Sequence, residues 1–385
     1  MQKASAASFL ISENCNLNCS YCFEKTKKNI NMSPEVALKA LSILINNSME
    51  DNKSEVHILL FGGEPLLNFE TIKILLGEMK KHTEIKFSIQ TVTNGTIIND
   101  DIIQTFKDCD VYDHISCSFQ LSIDGLKEDH DFYRVYHDGK GSFDTIMKNI
   151  PRFKEMFGGE EFHKTDKRGR LHVHGSLNKK TIVHMYDSWK FFTQELKIPA
   201  VWNMPIHDEQ WTQEDVDKYE EQLSLIARDI LTTFIQTRDK TIINDYSPLN
   251  KCMNEIPTMR NGPFCGAGNN FITFTARGDI YPCHQFYYMD EAFKIGNIYD
   301  GIDYQKTLIY DSYSAEDSTC QKNAKCKNFN CYICPAENYQ ETGTIFNPQL
   351  TLRCKMTSIE RRIITNMRKI IFGEENERNV CDSCN

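Results

Sequence analysis

Cys15, Cys19 and Cys22 stand in the run Cys15-Asn-Leu-Asn-Cys19-Ser-Tyr-Cys22, just beyond an apolar stretch at 8–12. Thiolates are soft metal ligands, but the spacing C-x3-C-x2-C departs from the paired C-x2-4-C or H-x3-5-H pattern of structural zinc. Three thiolates on one short loop can hold three irons of a 4Fe–4S cube and leave the fourth iron open to a small molecule. A partial zinc site, or three unrelated thiols, is the competing reading.

A second set of thiols lies in the C-terminal half. Cys265 is followed by twelve residues, Gly278, four more residues and Cys283. Then come Cys320, Cys326, Cys331 and Cys334, with Cys354 after a gap and Cys252 upstream. These eight would suffice for two fully liganded cubes, Cys252 being the weakest member. Thiolates alone do not choose between iron–sulfur and zinc, so Cys320–Cys334 keeps a zinc alternative. Cys381 and Cys384 close the chain as a C-x2-C that reads equally as a frayed tail, ligands or a redox pair. Cys109 and Cys117 read as buried thiols.

The chain as a whole limits what these residues can serve. Its 385 residues suit two domains, and 40% hydrophobic with 25% charged residues describes a globular protein with ample core. A net charge of −9 argues against a broad nucleic-acid or anionic-membrane surface. No apolar run is long enough to span a bilayer, and the start lacks a signal-peptide core. Fifteen cysteines without an export signal favour metal over disulfides and a cytoplasmic setting.

The elements that must position the thiols follow from periodicity. Strand-like runs fall at 7–12, 56–61, 86–93, 116–123, 170–177 and 199–206. Helical patterns alternate with them. The clearest starts at Ser33-Pro34-Glu35, a cap followed by proline at the first helical position; others begin at Asn68, Asn99, Ser142 and about Ile182, and a long one covers 214–237. Six β/α units in series predict an α/β fold with a parallel sheet and right-handed crossovers, a partial (β/α)6 barrel over 1–245. A small cysteine-rich domain over 246–385 would follow. It carries a β-hairpin turning at Arg277-Gly278 that brings Cys265 and Cys283 together, then a C-terminal helix and tail. The unusual residues collect at the strand ends, where barrels place their chemistry. The cysteine triplet follows strand one, Gly62-Gly63-Glu64-Pro65 strand two and Thr93-Asn94-Gly95 strand three. Ser122-Ile123-Asp124 ends strand four, with Arg134 shortly after.

Those residues resemble the radical S-adenosylmethionine (SAM) enzymes, with Tyr21 just before the third cysteine. The resemblance implies that Cys15, Cys19 and Cys22 hold the radical cluster. Gly62, Gly63, Glu64 and Pro65 would offer backbone to the methionine amino group, and Ser122 would meet the ribose or carboxylate. Arg134 is a candidate carboxylate partner or a surface arginine; Asn94 and Asp124 join the cofactor set, although Asn94 also reads as a turn cap. The segments around Cys265, Gly278–Phe286 and Ile295–Ile298 resemble the SPASM domain, which implies two auxiliary 4Fe–4S clusters. The cysteine order departs from that pattern, with the C-x2-C step last and Asp317 where an earlier cysteine would stand. The division of ligands between clusters is therefore open.

His284 follows Cys283 where sulfatase-maturating relatives carry an aspartate. It is a candidate acid–base catalyst, or a donor to a cluster sulfur. Tyr281, Phe286, Tyr287 and Tyr288 would line a peptide groove or pack a core. The resemblance is strongest to maturases of ribosomally made peptides, with a thioether crosslink from cysteine expected. Epimerisation or formylglycine formation is the alternative within the superfamily, and a non-catalytic iron–sulfur electron carrier the alternative outside it. An external donor such as flavodoxin or ferredoxin is implied. With about six residues before strand one, no N-terminal leader-binding domain is expected, and a leader would be expected to bind the barrel, the C-terminal region or a separate protein.

Overall fold

The structure, a computed structural model, describes residues 3–24, 27–164, 167–203, 210–239, 265–311, 334–346 and 352–373. It divides into two compact units: Met1–Ser122 with Asp131–Leu171 and Gly262–Tyr313, and Ile123–His130 with His172–Asn261 and Ser314–Asn385.

In the first unit β1 (Ala6–Ser12), β2 (Glu55–Gly62), β3 (Lys86–Thr93) and β4 (Ile115–Ser122) pair in parallel and in chain order. α1 (Pro34–Glu50), α2 (Phe69–Met79) and α3 (Asp100–Cys109) make the connections. β1 is apolar on both faces, with Ala7, Phe9, Leu10 and Ile11 all buried, as a parallel strand covered on both sides must be. α1 begins where its sequence indicates: the Ser33 side chain accepts from the Val36 N–H, and Pro34 occupies the first turn. Its buried stripe, Ala37, Ala40, Leu41 and Leu44, follows the i, i+3, i+4, i+7 spacing of one helix face. α4 (Lys127–Tyr133) and α5 (Phe143–Glu155) come after β4. Cys109 and Cys117 are buried, as expected of them.

β5 (Leu171–Ser176) and β6 (Ala200–Asn203) pair in parallel, with Val173 opposite Ala200. All six predicted strands are present within a few residues of their expected bounds. The helix expected from Ile182 is instead composite: a 3-10 turn at Thr181–His184, α6 (Met185–Lys190) and a π turn at Phe191–Glu195. α7 (Gln213–Thr237) opens with a capping box between Thr212 and Asp215.

The hairpin is β7 (Phe271–Phe274) and β8 (Asp279–Tyr281), with Phe274 opposite Ile280 and Gly278 at φ +86° in the turn. It continues the first unit's sheet: β7 pairs in parallel with β1, from Ala6↔Phe271 to Phe9↔Phe274. The Ser8 and Thr273 hydroxyls meet at 2.6 Å inside this seam. After α8 (His284–Met289), β9 (Gly296–Asn297) and β10 (Gly301–Ile302) complete an order of β10-β9-β8-β7-β1-β2-β3-β4, followed by α9 (Tyr304–Asp311). The domain boundary expected at 245/246 falls outside the described residues. α10 (Pro335–Thr342) and α11 (Leu352–Phe372) belong to the second unit, where α11 packs along α7 and Lys355 donates to Gln213 at 2.9 Å. Among the described residues no helix is long and apolar enough to cross a membrane.

Candidate functional site

The cysteine loop leaves β1 and lies directly on the end of β2. Gly63 N–H donates to Ser12 O at 2.7 Å, and Glu64 N–H to Asn14 O at 2.9 Å. A Cβ on Gly62, whose φ is +127°, would stand 2.2 Å from Ser12 O; one on Gly63 would stand 2.3 Å from Asn14 O and 3.1 Å from Cys15 Cβ. Only glycine lets the two backbones come this close. Cys15 is buried, whereas Cys19 and Cys22 are half-buried and joined by a turn in which Cys22 N–H donates to Cys19 O. Burial pushes the Cys15 thiol up to about 12, while its sulfur accepts from the Leu17 N–H at 3.4 Å.

Glu64 and Asn94 knit this loop to the end of β3. The Glu64 carboxylate is fully buried and accepts from the Leu66 N–H, the Thr93 hydroxyl (2.8 Å) and the Asn94 N–H (2.7 Å). Burial nevertheless raises its carboxyl to about 7, against the pull of those donors. The Asn94 amide donates to Asn16 Oδ1 at 2.9 Å and lies 3.8 Å from Cys15 Sγ. Asn94 does cap a local turn, accepting from Thr96, and it also ties strand three to the cysteine loop.

The segment after α4 straps the loop from the other side, which periodicity gave no reason to expect. Ser20 N–H donates to Tyr133 O, Asn18 N–H to Val135 O (2.7 Å), and the His137 ring lies 3.0 Å from Cys15 O. Through this strap the Arg134 guanidinium reaches the Tyr21 ring, 5.3 Å from its centroid, and Tyr21 packs on Tyr133. Ser122 is half-buried at the end of β4. Asp124, in the second unit, serves that unit's own backbone: its carboxylate accepts from the Ser176 N–H and its carbonyl from Trp202 Nε1.

Beyond Cys22 the chain meets α8. The Phe23 ring lies 5.9 Å from His284 and 5.4 Å from Tyr288, and Phe61 lies 4.5 Å from His284. Burial pulls the His284 imidazole down to about 4, and its Nδ1 has no hydrogen-bond partner among the described residues. The Tyr287 hydroxyl donates to Glu13 at 2.8 Å, joining α8 to the cysteine loop. Tyr281 and Phe286 are core residues; Tyr287 and Tyr288 stay half-buried. Lys27 Nζ lies 3.0 Å from Cys22 Sγ and 3.5 Å from the buried Glu24 carboxylate. Burial opposes charge on Lys27, but Glu24 and Cys22 outweigh it and hold the ammonium above the ordinary lysine range.

Of the second thiol set, Cys265 and Cys283 flank the hairpin, whose ends are tied by Gly268 N–H donating to Pro282 O. Cys334 stands at the position before α10 without a side-chain capping bond, and Cys354 lies on α11; both interact electrostatically with Arg353, which pairs with Glu337. Cys252, Cys320, Cys326, Cys331, Cys381 and Cys384 lie outside the described residues.

Among the described residues no group of three Cys, His, Asp or Glu side chains is placed to hold a metal ion. Cys15 and Cys22 each receive N–H donors, contacts that would stabilise a ligating sulfur.

The family assignment agrees with this geometry, because a radical SAM superfamily match covers residues 9–165, from β1 to the end of the strap and α5. Residues 9–165 belong to the radical SAM superfamily. This radical SAM domain takes SAM and a 4Fe–4S cluster as its cofactors. The chain is 28% identical over 354 residues to a cysteine-type anaerobic sulfatase-maturating enzyme of Clostridium novyi, covering 83% of each chain. It is 25% identical over 380 residues to a serine-type anaerobic sulfatase-maturating enzyme of Bacteroides thetaiotaomicron, covering 89% of this chain and 84% of that one. Among solved structures, anSMEcpe with bound AdoMet and Cp18Cys peptide has the same fold, at TM-score 0.73, 18% identity and coverage of 97% and 100%.

Proposed function

We propose that this radical SAM enzyme modifies a peptide or protein, and that the modification is a thioether crosslink from a cysteine. One observation carries the reading. The loop bearing Cys15, Cys19 and Cys22 and the helix that follows Cys283 are packed together, through Phe23 on His284 and Tyr287 on Glu13.

In this reading Cys15, Cys19 and Cys22 ligate the radical cluster. Gly62 to Pro65 would offer the methionine amino group a close backbone, and Arg134, steadied on Tyr21, would pair with its carboxylate. When bound there, SAM and the cluster would supply the radical chemistry that abstracts a hydrogen atom from the substrate. Phe23 and Phe61 would shield the site from water, and the neutral His284 ring packed against both would be the candidate proton acceptor. Closing a C–S bond then loses the thiol proton and one electron, for which auxiliary clusters held by Cys265, Cys283 and the later cysteines would be the acceptor. A flavodoxin or ferredoxin would supply the reducing electron, and a separate protein could present a leader. Formylglycine formation is the second reading, favoured by the similarity to the Clostridium novyi enzyme over most of the chain.

The test uses reconstituted protein, dithionite, SAM and cysteine-containing peptides encoded beside the gene. A product about 2 Da lighter with one thiol no longer alkylatable supports the thioether. An aldehyde captured by hydrazine means formylglycine, and unchanged mass with solvent deuterium means epimerisation. Substituting alanine for Cys15, Cys19 and Cys22 together should abolish 5′-deoxyadenosine formation. Persistence of that product would refute the whole assignment.

A further inference from the structure

The cysteine loop carries a charged group that no step above uses. Cys15 receives neutral donors, the Leu17 N–H at 3.4 Å and the Asn94 amide at 3.8 Å. Cys22 is met by a cation, Lys27 Nζ, at 3.0 Å. The lysine side chain is only 16% exposed, and the Glu24 carboxylate 3.5 Å away, itself 2% exposed, fixes where the ammonium points. A lysine held this firmly against one sulfur is not a solvated surface charge.

We infer that Lys27, positioned by Glu24, tunes the reduction potential of the radical cluster through the Cys22 sulfur. This rests on the functional reading above. The physics is short. Reduction adds one negative charge to the cluster and spreads it onto the ligand sulfurs. A cation hydrogen-bonded to one of those sulfurs stabilises the reduced form more than the oxidised form, because the interaction scales with the charge it meets. Burial limits screening by water and salt. Lys27 therefore makes the cluster easier to reduce, and reduction must precede SAM cleavage. Glu24 opposes part of that field, so the pair sets a balance and holds the ammonium in register. Lys27 is a positioning residue here: it acts through Cys22.

The experiment is a redox titration of reconstituted, full-length protein, followed by electron paramagnetic resonance. The signal to follow is the one that changes when SAM is added, because it reports the cluster with an open iron. Lys27→Met removes the charge and keeps the length. At a potential poised on the wild-type midpoint, its ratio of reduced to oxidised cluster should fall about tenfold, equivalent to about 59 mV for one electron. Lys27→Arg keeps the charge and should restore the ratio to within about twofold. Iron content and SAM affinity should match wild type in both variants.

An unshifted midpoint in Lys27→Met overturns the inference while leaving the functional reading intact. Loss of the cluster from both variants also overturns it, since Lys27 would then be needed for assembly. A wild-type protein with no SAM-responsive signal at all refutes the functional reading, and the inference with it.

Discussion

Glu64 is the residue whose environment departs furthest from what its position in the chain suggests. Gly62-Gly63-Glu64-Pro65 reads as a backbone cradle, yet the Glu64 side chain turns inward to three donors at the ends of β2 and β3. Burial raises its carboxyl from 4.5 to about 7, so the folded state holds the proton more tightly than the unfolded chain. The stability this lends is fully present below pH 4.5 and is lost as pH rises through about 7, a change of about 3 kcal/mol. Urea unfolding of cluster-free protein between those limits should show that fall, and Glu64→Gln should flatten it. Identical profiles would rule out Glu64 as the source. Gly63→Ala tests the neighbouring contact. A Cβ 2.3 Å from Asn14 O must displace the cysteine loop, so reconstituted iron should drop sharply while the far-ultraviolet circular dichroism stays unchanged.

At the scale of elements, the strap at 133–137 decides how firmly the cysteine loop is held. It contributes two backbone hydrogen bonds, a ring contact to Cys15 O and the Arg134–Tyr21 stack. His137→Ala removes one such contact, worth about 1 kcal/mol. Faster amide exchange at Asn18 and Ser20, with α1 amides unaffected, is the expected outcome; uniform exchange changes would point to a global loss instead. The start of α1 offers a comparison far from the loop's chemistry. Ser33→Ala removes the side-chain acceptor for Val36 N–H and should lower unfolding free energy by about 1 kcal/mol, read by urea titration at constant slope.

At the scale of the molecule, the seam between β1 and β7 is the feature with the widest consequence. It places the hairpin that carries Cys265 and Cys283 in the same sheet as the strand leading to Cys15. If the second thiol set holds two auxiliary cubes, anaerobic reconstitution should yield about twelve irons per chain, and about four should remain when Cys265, Cys283 and the later cysteines are replaced. A wild-type value of about four, with zinc making up the difference, would leave the radical cluster alone.

The sequence by itself determined the elements and the loop chemistry. Parallel strands buried on both faces read as short apolar runs, and Ser33-Pro34 announces a helix start, because both signals are local. The thiol triplet was legible because its residue types have few other uses at that spacing, whereas the Gly-Gly step, ordinary turn chemistry by itself, was legible only from its place at a strand end in series with the other motifs. Three features were decided only by tertiary structure. The strap meets the cysteine loop through the Val135 carbonyl, which leaves no trace in residue type, and through the His137 ring, whose partner Cys15 O lies 122 residues away in the chain. Lys27 is an ordinary lysine until the fold buries it against Cys22 and Glu24. The hairpin joins β1 by pairing residues 265 positions apart, as Ser8 meets Thr273. Periodicity reports which face of an element is apolar, and contacts at that distance are chosen by which apolar faces meet.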